Sequence, residues 1–437
     1  MNELPGGPSI AEMELFKIFT TNPFSFLKEC YEKYGDMFTI KLGTFGVTDY
    51  ETTGNWVFLC NSDHIKTLFK TKSDVIQAGP ANDIQFQQLL PKQAMVIMDG
   101  AEHIDRRKML SSSVQSKEKI RQLTPAIVQI VRDEISAFPA DQAFPLSPAF
   151  RRISGEAMRC LIFGDVGKEE VTCINAKLSE FGDPAYSHAE KISLVEESAN
   201  SLNKIIAEYK SCPHQAGEEQ NNIFSVLMHG YTKDKTLDEK DVRDETITLL
   251  LGGNDTSATT MSWAMTWIFS LPEVMKKVLQ ELRHVFADHA PTAEDFEKLP
   301  YLDAVIKESS RISAMFFTTS ARILVQPMEL GGYQLPPGTM IVSCPYIVHT
   351  RPDYYPEPME FKPERFLDTN ADPSQWLPFG GGIRRCLGMA FALHEMKVVI
   401  ATLLHECKFE GVDISTEAEL QGGFFAPKGS VTVKFAG

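Results

Sequence analysis

The sequence lacks any apolar run long enough for a membrane anchor or a secretory signal; the stretch Met1–Ile10 is polar and carries Leu-Pro-Gly-Gly-Pro. It is short of positive charge. Lys and Arg number 43 against 58 Asp and Glu, a formal net charge of −15. That balance argues against a nucleic-acid binder, which needs a basic face, and against broad attraction to anionic lipid. It has no Cys-x-x-Cys pair. Its eight cysteines are scattered, at 30, 60, 160, 173, 212, 344, 386 and 407, so a zinc ribbon or a thioredoxin-type site is excluded and a reducing, cytoplasmic location is expected. Internal repeats and low-complexity tracts are also missing. What the chain does have is 28 Phe and 17 Met in 437 residues, material for a large core and for a roomy apolar pocket.

Patterning divides the chain coarsely. Met37–Leu42 and Trp56–Cys60 read as strands in a β-rich part over about residues 1–75. From about Lys117 to Ile268 the apolar period is mostly helical, with a polar surface loop at Gln215–Asn222. Strands and turns return over Met328–Cys344, a helix over about Gly388–Cys407, and a strand at Val431–Phe435. The most informative helix is expected over Thr236–Leu271, opened by a Thr236/Glu239 capping box and ended at Pro272. It would span roughly 50 Å. Its middle, Ile247–Gly253, is apolar all round and is expected to be buried on every side. Gly252 and Gly253 cost that helix roughly 2 kcal/mol of propensity, which close approach of a flat ligand would justify.

Four motifs carry chemistry. The first is Phe379-Gly-Gly-Gly-Ile-Arg-Arg-Cys386-Leu-Gly388. A thiolate bound to iron needs backbone N–H donors around it, Gly382 and Gly388 allow the tight path that aims them, and the following helix adds a favourable dipole. Arg384 can pair with a haem propionate. The second is Glu308-Ser-Ser-Arg311, three apart on one helix face, with Arg365 of Phe361-Lys-Pro-Glu-Arg-Phe366 to complete a buried structural network; Glu118/Arg121 and Glu156/Arg159 repeat the spacing and read as solvated pairs. The third is Gly252-Gly-Asn-Asp255-Thr256, where an acid and a hydroxyl stand in an apolar helix. Thr256 can give a hydrogen bond to dioxygen and Asp255 can relay protons; the competing reading is two back-bonded polar residues at a helix kink. The fourth is His103-Ile-Asp-Arg-Arg107-Lys108, whose His103 and Arg107 share a face and can reach propionates. Arg106 and Lys108, as a solvated basic face, join Lys117, Lys119 and Lys397 as residues to offer an acidic electron donor.

Together these motifs, in order along nearly the whole chain with Ala392 and Glu395 after the cysteine, resemble the cytochrome P450 family, in the style of its soluble bacterial members. The resemblance implies a single domain over residues 1–437 that is mainly α with a small β-rich lobe (α+β): a triangular helical core with b-type haem (iron protoporphyrin IX) between the long central helix and the cysteine-loop helix. It implies a monooxygenase that inserts one atom of O2 into a lipophilic substrate, with electrons from a ferredoxin- or flavodoxin-type donor and its reductase. On this sequence it makes Cys386 the iron ligand, Thr256 and Asp255 the proton managers, and His103, Arg107, Arg322 and Arg384 the propionate candidates; Phe379, Gly253 and Gly388 border the cofactor. It places pocket walls at Ile76–Met98, Leu249–Gly253, Ala314–Thr319 and Gly423–Ala426, with Leu249, Met315, Phe316, Phe424 and Phe425 as contacts for a terpenoid or long acyl chain. One departure is the lack of the family's usual proline soon after Arg311, where this chain has Ile312-Ser-Ala-Met-Phe-Phe. Two other readings stay open: a haem-thiolate isomerase or peroxygenase, which can dispense with Thr256, and a haem sensor without turnover.

Overall fold

The computed structural model describes residues 4–140, 142–181, 185–211, 222–230, 236–287, 289–367, 371–421 and 423–435. Cys212 and most of the expected 215–222 loop lie outside them. The chain forms two compact units: Met1–Arg106 with Ala314–Glu360 and Asn370–Cys386, and Arg107–Ser313 with Phe361–Thr369 and Leu387–Gly437.

The first unit is built on a five-stranded sheet. Met37–Lys41 pairs antiparallel with Asn55–Leu59, which runs parallel to Met340–Ser343; Thr319–Leu324 and the short Ile76–Gln77 complete the order. Successive side chains point to opposite faces, and here both faces are covered. Phe38, Phe58, Trp56, Met340 and Val342 lie on one, with the Phe38 and Phe58 rings stacked at 5.2 Å. Val57, Leu59 and Ile341 lie on the other, under Ile65 and Leu68 of helix Ser62–Lys70. The β-rich reading of residues 1–75 needs correction. Two helices, Glu12–Thr21 and Pro23–Tyr34, come first, and the sheet draws most of its other strands from residues 319–343. Parallel pairing of strands almost three hundred residues apart leaves no local signature in the chain. The hairpin Met328–Leu330/Tyr333–Leu335 turns on Gly331 and Gly332, at φ +59° and +83°, the left-handed region that its two-residue turn demands.

The second unit is mainly helical. Its axis is the helix Glu239–Ser270, 32 residues, or roughly 48 Å. Against it pack Ser147–Phe163, His188–Ser211, Pro300–Ile312 and Met389–Glu406. The long helix starts two residues later than the Thr236/Glu239 pattern suggests. Asp238 is the cap: its carboxylate accepts from the Asp241 N–H at 2.9 Å, and Asp241 accepts from the Asp238 N–H at 3.1 Å. Two carboxylates at the positive end of the helix are the better electrostatic choice. Pro272 opens the next helix, Pro272–Phe286. Strands Ala143–Pro145, Phe409–Asp413 and Thr432–Phe435 form a small sheet, and Ala418–Gln421 pairs with Phe424–Pro427. No helix among the described residues is long and apolar enough to cross a membrane.

Candidate functional site

In the first unit the cysteine loop is held by its own backbone and by one aromatic side chain. The Cys386 N–H donates to the Phe379 carbonyl at 2.9 Å, and Cys386 is exposed. Phe379 is half-buried against the Trp376 ring. Glycine is required at 381, where a Cβ would stand 2.0 Å from the Phe69 ring, and at 382, where φ is +65° and a Cβ would meet the Phe69 carbonyl oxygen at 2.8 Å. Gly388 is different. Its φ is −82° and a Cβ there would meet nothing within 4 Å, so the tight path expected of it is not what this residue supplies; it is the N-cap of Met389–Glu406.

Two arginines converge near this loop. Arg384 donates to the Asp99 carboxylate at 2.5 Å, to the Met95 carbonyl at 3.3 Å and to the Met98 carbonyl. Arg322 is 6% exposed and donates to the Ala321 carbonyl at 2.8 Å. Burial, then the charge of Arg384, pushes the Arg322 guanidinium down to about 9; Asp99 opposes them. The buried Arg322 and the half-buried Arg384, of which Arg384 alone holds the Asp99 carboxylate, form a site short of negative charge, and a propionate-bearing group fits it. The helix Gly100–Val114 carries the other candidates. His103 is buried and Arg107 half-buried. Arg106, expected on a solvated face, is wholly buried, and of that pair only Lys108 is exposed.

In the second unit the polar turn of the long helix has the acid and the hydroxyl in unlike surroundings. Asp255 is buried, and Arg151 Nε of helix Ser147–Phe163 lies 3.2 Å from its carboxylate. Burial raises the acid's pKa and the Arg151 charge partly offsets it. The Thr256 hydroxyl donates to the Gly252 carbonyl at 2.7 Å, the back-bonded state, so it must leave that carbonyl before it can donate outward. The mid-helix is not buried on all sides. Gly252 is exposed, and Thr248, Leu249, Leu251, Gly253 and Thr256 are only half-buried. The two glycines therefore have separate reasons. A Cβ on Gly253 would stand 2.4 Å from the Met158 sulfur, so this glycine lets the neighbouring helix approach. A Cβ on Gly252 meets nothing within 4 Å, and this open backbone is where a flat group fits.

Of the expected pocket residues, Met315, Phe316 and Phe424 are half-buried, whereas Phe425 is 2% exposed and its carbonyl accepts from Trp263 Nε1 at 2.8 Å, a core position. The Glu308 network is assembled. Arg311 donates twice to Glu308, each at 2.7 Å, both residues are wholly buried, and Arg365 Nε reaches the same carboxylate at 3.3 Å. Glu118/Arg121 is a solvated pair, but Arg159 is buried, drawn in by the Gly164 carbonyl and the Cys160 sulfur.

An open cleft of about 320 Å³ in the same unit is lined by Gln115, Lys117, Arg121, Glu297, Asp303, His394 and Lys397. Its cations are already paired: Lys117 with Glu297 at 2.9 Å, Arg121 with Glu294 at 3.3 Å, Lys397 with Asp303 at 3.3 Å. Lys119 reaches the Ser113 hydroxyl at 3.4 Å. Sequence reasoning missed Arg151, Asp99 and Phe69, each of which acts on a partner more than a hundred residues away in the chain: Asp255, Arg384 and the Gly381–Gly382 turn.

The profile of the cytochrome P450 family matches residues 5–435. Cytochrome P450 135B1 of Mycobacterium tuberculosis is 30% identical over 95% of this chain and 87% of its own length. Cytochrome P450 135A1 of the same species is 27% identical over 91% and 87%. Among solved structures, the retinoic acid-bound cyanobacterial CYP120A1 superposes with a TM-score of 0.84, covering 100% of this chain and 99% of its own at 22% identity. The chain thus belongs to the cytochrome P450 family of haem-iron monooxygenases.

Proposed function

We propose that this protein oxidises a lipophilic small molecule, with Cys386 as the thiolate ligand of the haem and Asp255 and Thr256 as its proton-handling pair. The observation that carries the reading is the buried Asp255, paired with the partly exposed Arg151, beside the back-bonded Thr256, on a helix turn whose Gly252 backbone is open. The haem supplies oxygen activation when bound. Arg322 and Arg384 would bind its propionates, with His103 and Arg107 as further donors.

The chain's own part is control of protons. Asp255 is poised between burial, which favours its neutral form, and the Arg151 charge, which favours the carboxylate, so it can take up a proton and release it. Thr256 can swing from the Gly252 carbonyl to donate a hydrogen bond outward. An isomerase or a peroxygenase needs neither residue. Met315, Phe316, Phe424 and Leu249 supply apolar surface for a terpenoid or long acyl chain, and the retinoic acid bound by the cyanobacterial relative makes an isoprenoid acid a natural first ligand. A ferredoxin- or flavodoxin-type donor is the proposed electron source.

The test is the reduced, carbon monoxide-bound spectrum. A strongly red-shifted Soret band is expected in the wild type and is lost in Cys386→Ala. Spectral titration with retinoic acid, other terpenoids and fatty acids should change the haem spin state. A histidine-ligated iron would overturn the Cys386 assignment, and silence toward every lipophile would overturn the substrate class.

A further inference from the structure

The face of the five-stranded sheet that carries Trp56, Phe58, Met340 and Val342 ends in two thiols. Strand Asn55–Leu59 runs parallel to Met340–Ser343, with Phe58 opposite Val342 and Leu59 opposite Ser343. One step further along each strand come Cys60 and Cys344. The Cys344 N–H still donates to the Leu59 carbonyl at 3.0 Å, so the pairing continues to them. Alternation puts both side chains on the face of Phe58 and Val342. Both are wholly buried free thiols, and they hydrogen-bond each other. Cys30, on helix Pro23–Tyr34, lies in the same apolar cluster.

The backbone fixes both positions. The Cys60 N–H donates to the Asp36 carbonyl at 2.9 Å, and the Cys60 carbonyl accepts from Arg351 at 3.0 Å. Cys344 is the N-cap of helix Pro345–His349. Adjacent strands lie roughly 4.8 Å apart, and a disulfide spans roughly 4.4–6.8 Å between Cα atoms, so a bridge is within reach. Packing alone is served by any small apolar residue at either position; a second thiol in register adds chemistry that packing does not use. Burial, and then the hydrogen bond with Cys344, pushes the Cys60 thiol well above its ordinary range. The pair therefore holds little thiolate and reacts slowly, as a guarded site does.

We propose that Cys60 and Cys344 are a modification site, a dithiol that hydrogen peroxide converts to a disulfide bridging the two parallel strands. In the first step one sulfur attacks the peroxide. The O–O bond breaks, one water leaves, and that sulfur becomes a sulfenic acid. In the second step the other sulfur attacks it. The S–O bond breaks, the S–S bond forms, and a second water leaves with the remaining thiol proton. Two thiols and one peroxide give one disulfide and two waters; the sulfurs lose two electrons and the peroxide gains them. Contact between the thiols makes the second step intramolecular, which favours the bridge over further oxidation of the sulfenic acid. The bridge closes a loop of almost three hundred residues and so removes chain entropy from the unfolded state. This chemistry is independent of the monooxygenase reading.

The experiment exposes the full-length protein to hydrogen peroxide until its circular dichroism first declines. The protein is then unfolded in an alkylating agent and its peptides are mapped by mass spectrometry. The Cys60 and Cys344 peptides are expected joined, two hydrogens lighter than their sum, and parted again by dithiothreitol. If at that end point both are still alkylated, or are separate sulfinic acids, or one is joined to Cys30, the proposal is overturned. Dithiothreitol should also lower the melting temperature of the peroxide-treated wild type by about 2–5 °C and leave treated Cys60→Ala unchanged. A wild type that melts alike with and without dithiothreitol would overturn the staple. The mapping needs no variant, so it decides the matter even if Cys60→Ala fails to fold.

Discussion

Replacing Arg311 by Met isolates the buried network of the second unit. The substitution keeps apolar volume but strips two 2.7 Å donors from a Glu308 that is wholly buried. Breaking a buried ion pair from one side costs about 3–5 kcal/mol, because the other charge is stranded. Here Glu308 keeps the Lys362 N–H at 2.9 Å and Arg365 at 3.3 Å, so the lower end, about 3 kcal/mol, is expected. At about 2.1 cal/mol/K of unfolding entropy per residue, a chain this long loses roughly 1 °C of melting temperature per kcal/mol, hence about 3 °C. Arg311→Lys keeps the charge but not the two-pronged geometry and should fall between. The double variant Glu308→Leu/Arg311→Met removes the stranded carboxylate, and the Lys362 N–H and the partly exposed Arg365 guanidinium lose only their hydrogen bonds to it, at about 1–2 kcal/mol. It should therefore melt above the single variant. Calorimetric melting of all four proteins at pH 7 decides this. If Arg311→Met melts within 0.5 °C of wild type, or the double variant melts below it, the argument from a stranded charge is wrong.

Gly252→Ala should stabilise the apoprotein by about 0.5–1 kcal/mol, since the helix gains propensity and the added methyl meets no atom; Gly253→Ala must displace Met158 and should cost about 1–3 kcal/mol, and denaturant unfolding showing the reverse order refutes the two separate reasons. Thr256→Ala should keep the thiolate spectrum and lose coupling, with more peroxide formed per reduced nicotinamide consumed; full coupling would remove Thr256 from the proton assignment. His394 is held down to about 4, against an ordinary 6.5, by burial and then by the Lys397 charge. Its neutral form thus contributes stability that is complete above 6.5 and is lost as pH falls toward 4. His394→Gln should remove that part of the acid sensitivity, which melting from pH 7 to 4 measures.

Much of this was legible in the residues themselves. The cysteine loop, the Glu308/Arg311 spacing and the glycine-bearing helix are local patterns, and local geometry writes them into short stretches of chain. A three-residue spacing on a helix puts Glu308 and Arg311 on one face whatever surrounds them. The long helix was readable from its period, though its start was not, because Thr236 and Asp238 both offer a capping oxygen and only the folded chain chooses between them.

Burial and partnership were decided by tertiary structure. Arg106 and Lys108 look alike in sequence, yet one is wholly buried and the other exposed. Gly252 and Gly253 are adjacent and identical, yet one is pressed by Met158 and the other is open. Arg151 finds Asp255 more than a hundred residues away, and Lys397 finds Asp303, so the cations that composition would offer to an electron donor are largely neutralised within the chain. Periodicity reports which face of an element is apolar. Only packing brings a second element against that face, and with it come the desolvation and the partners that set a side chain's charge.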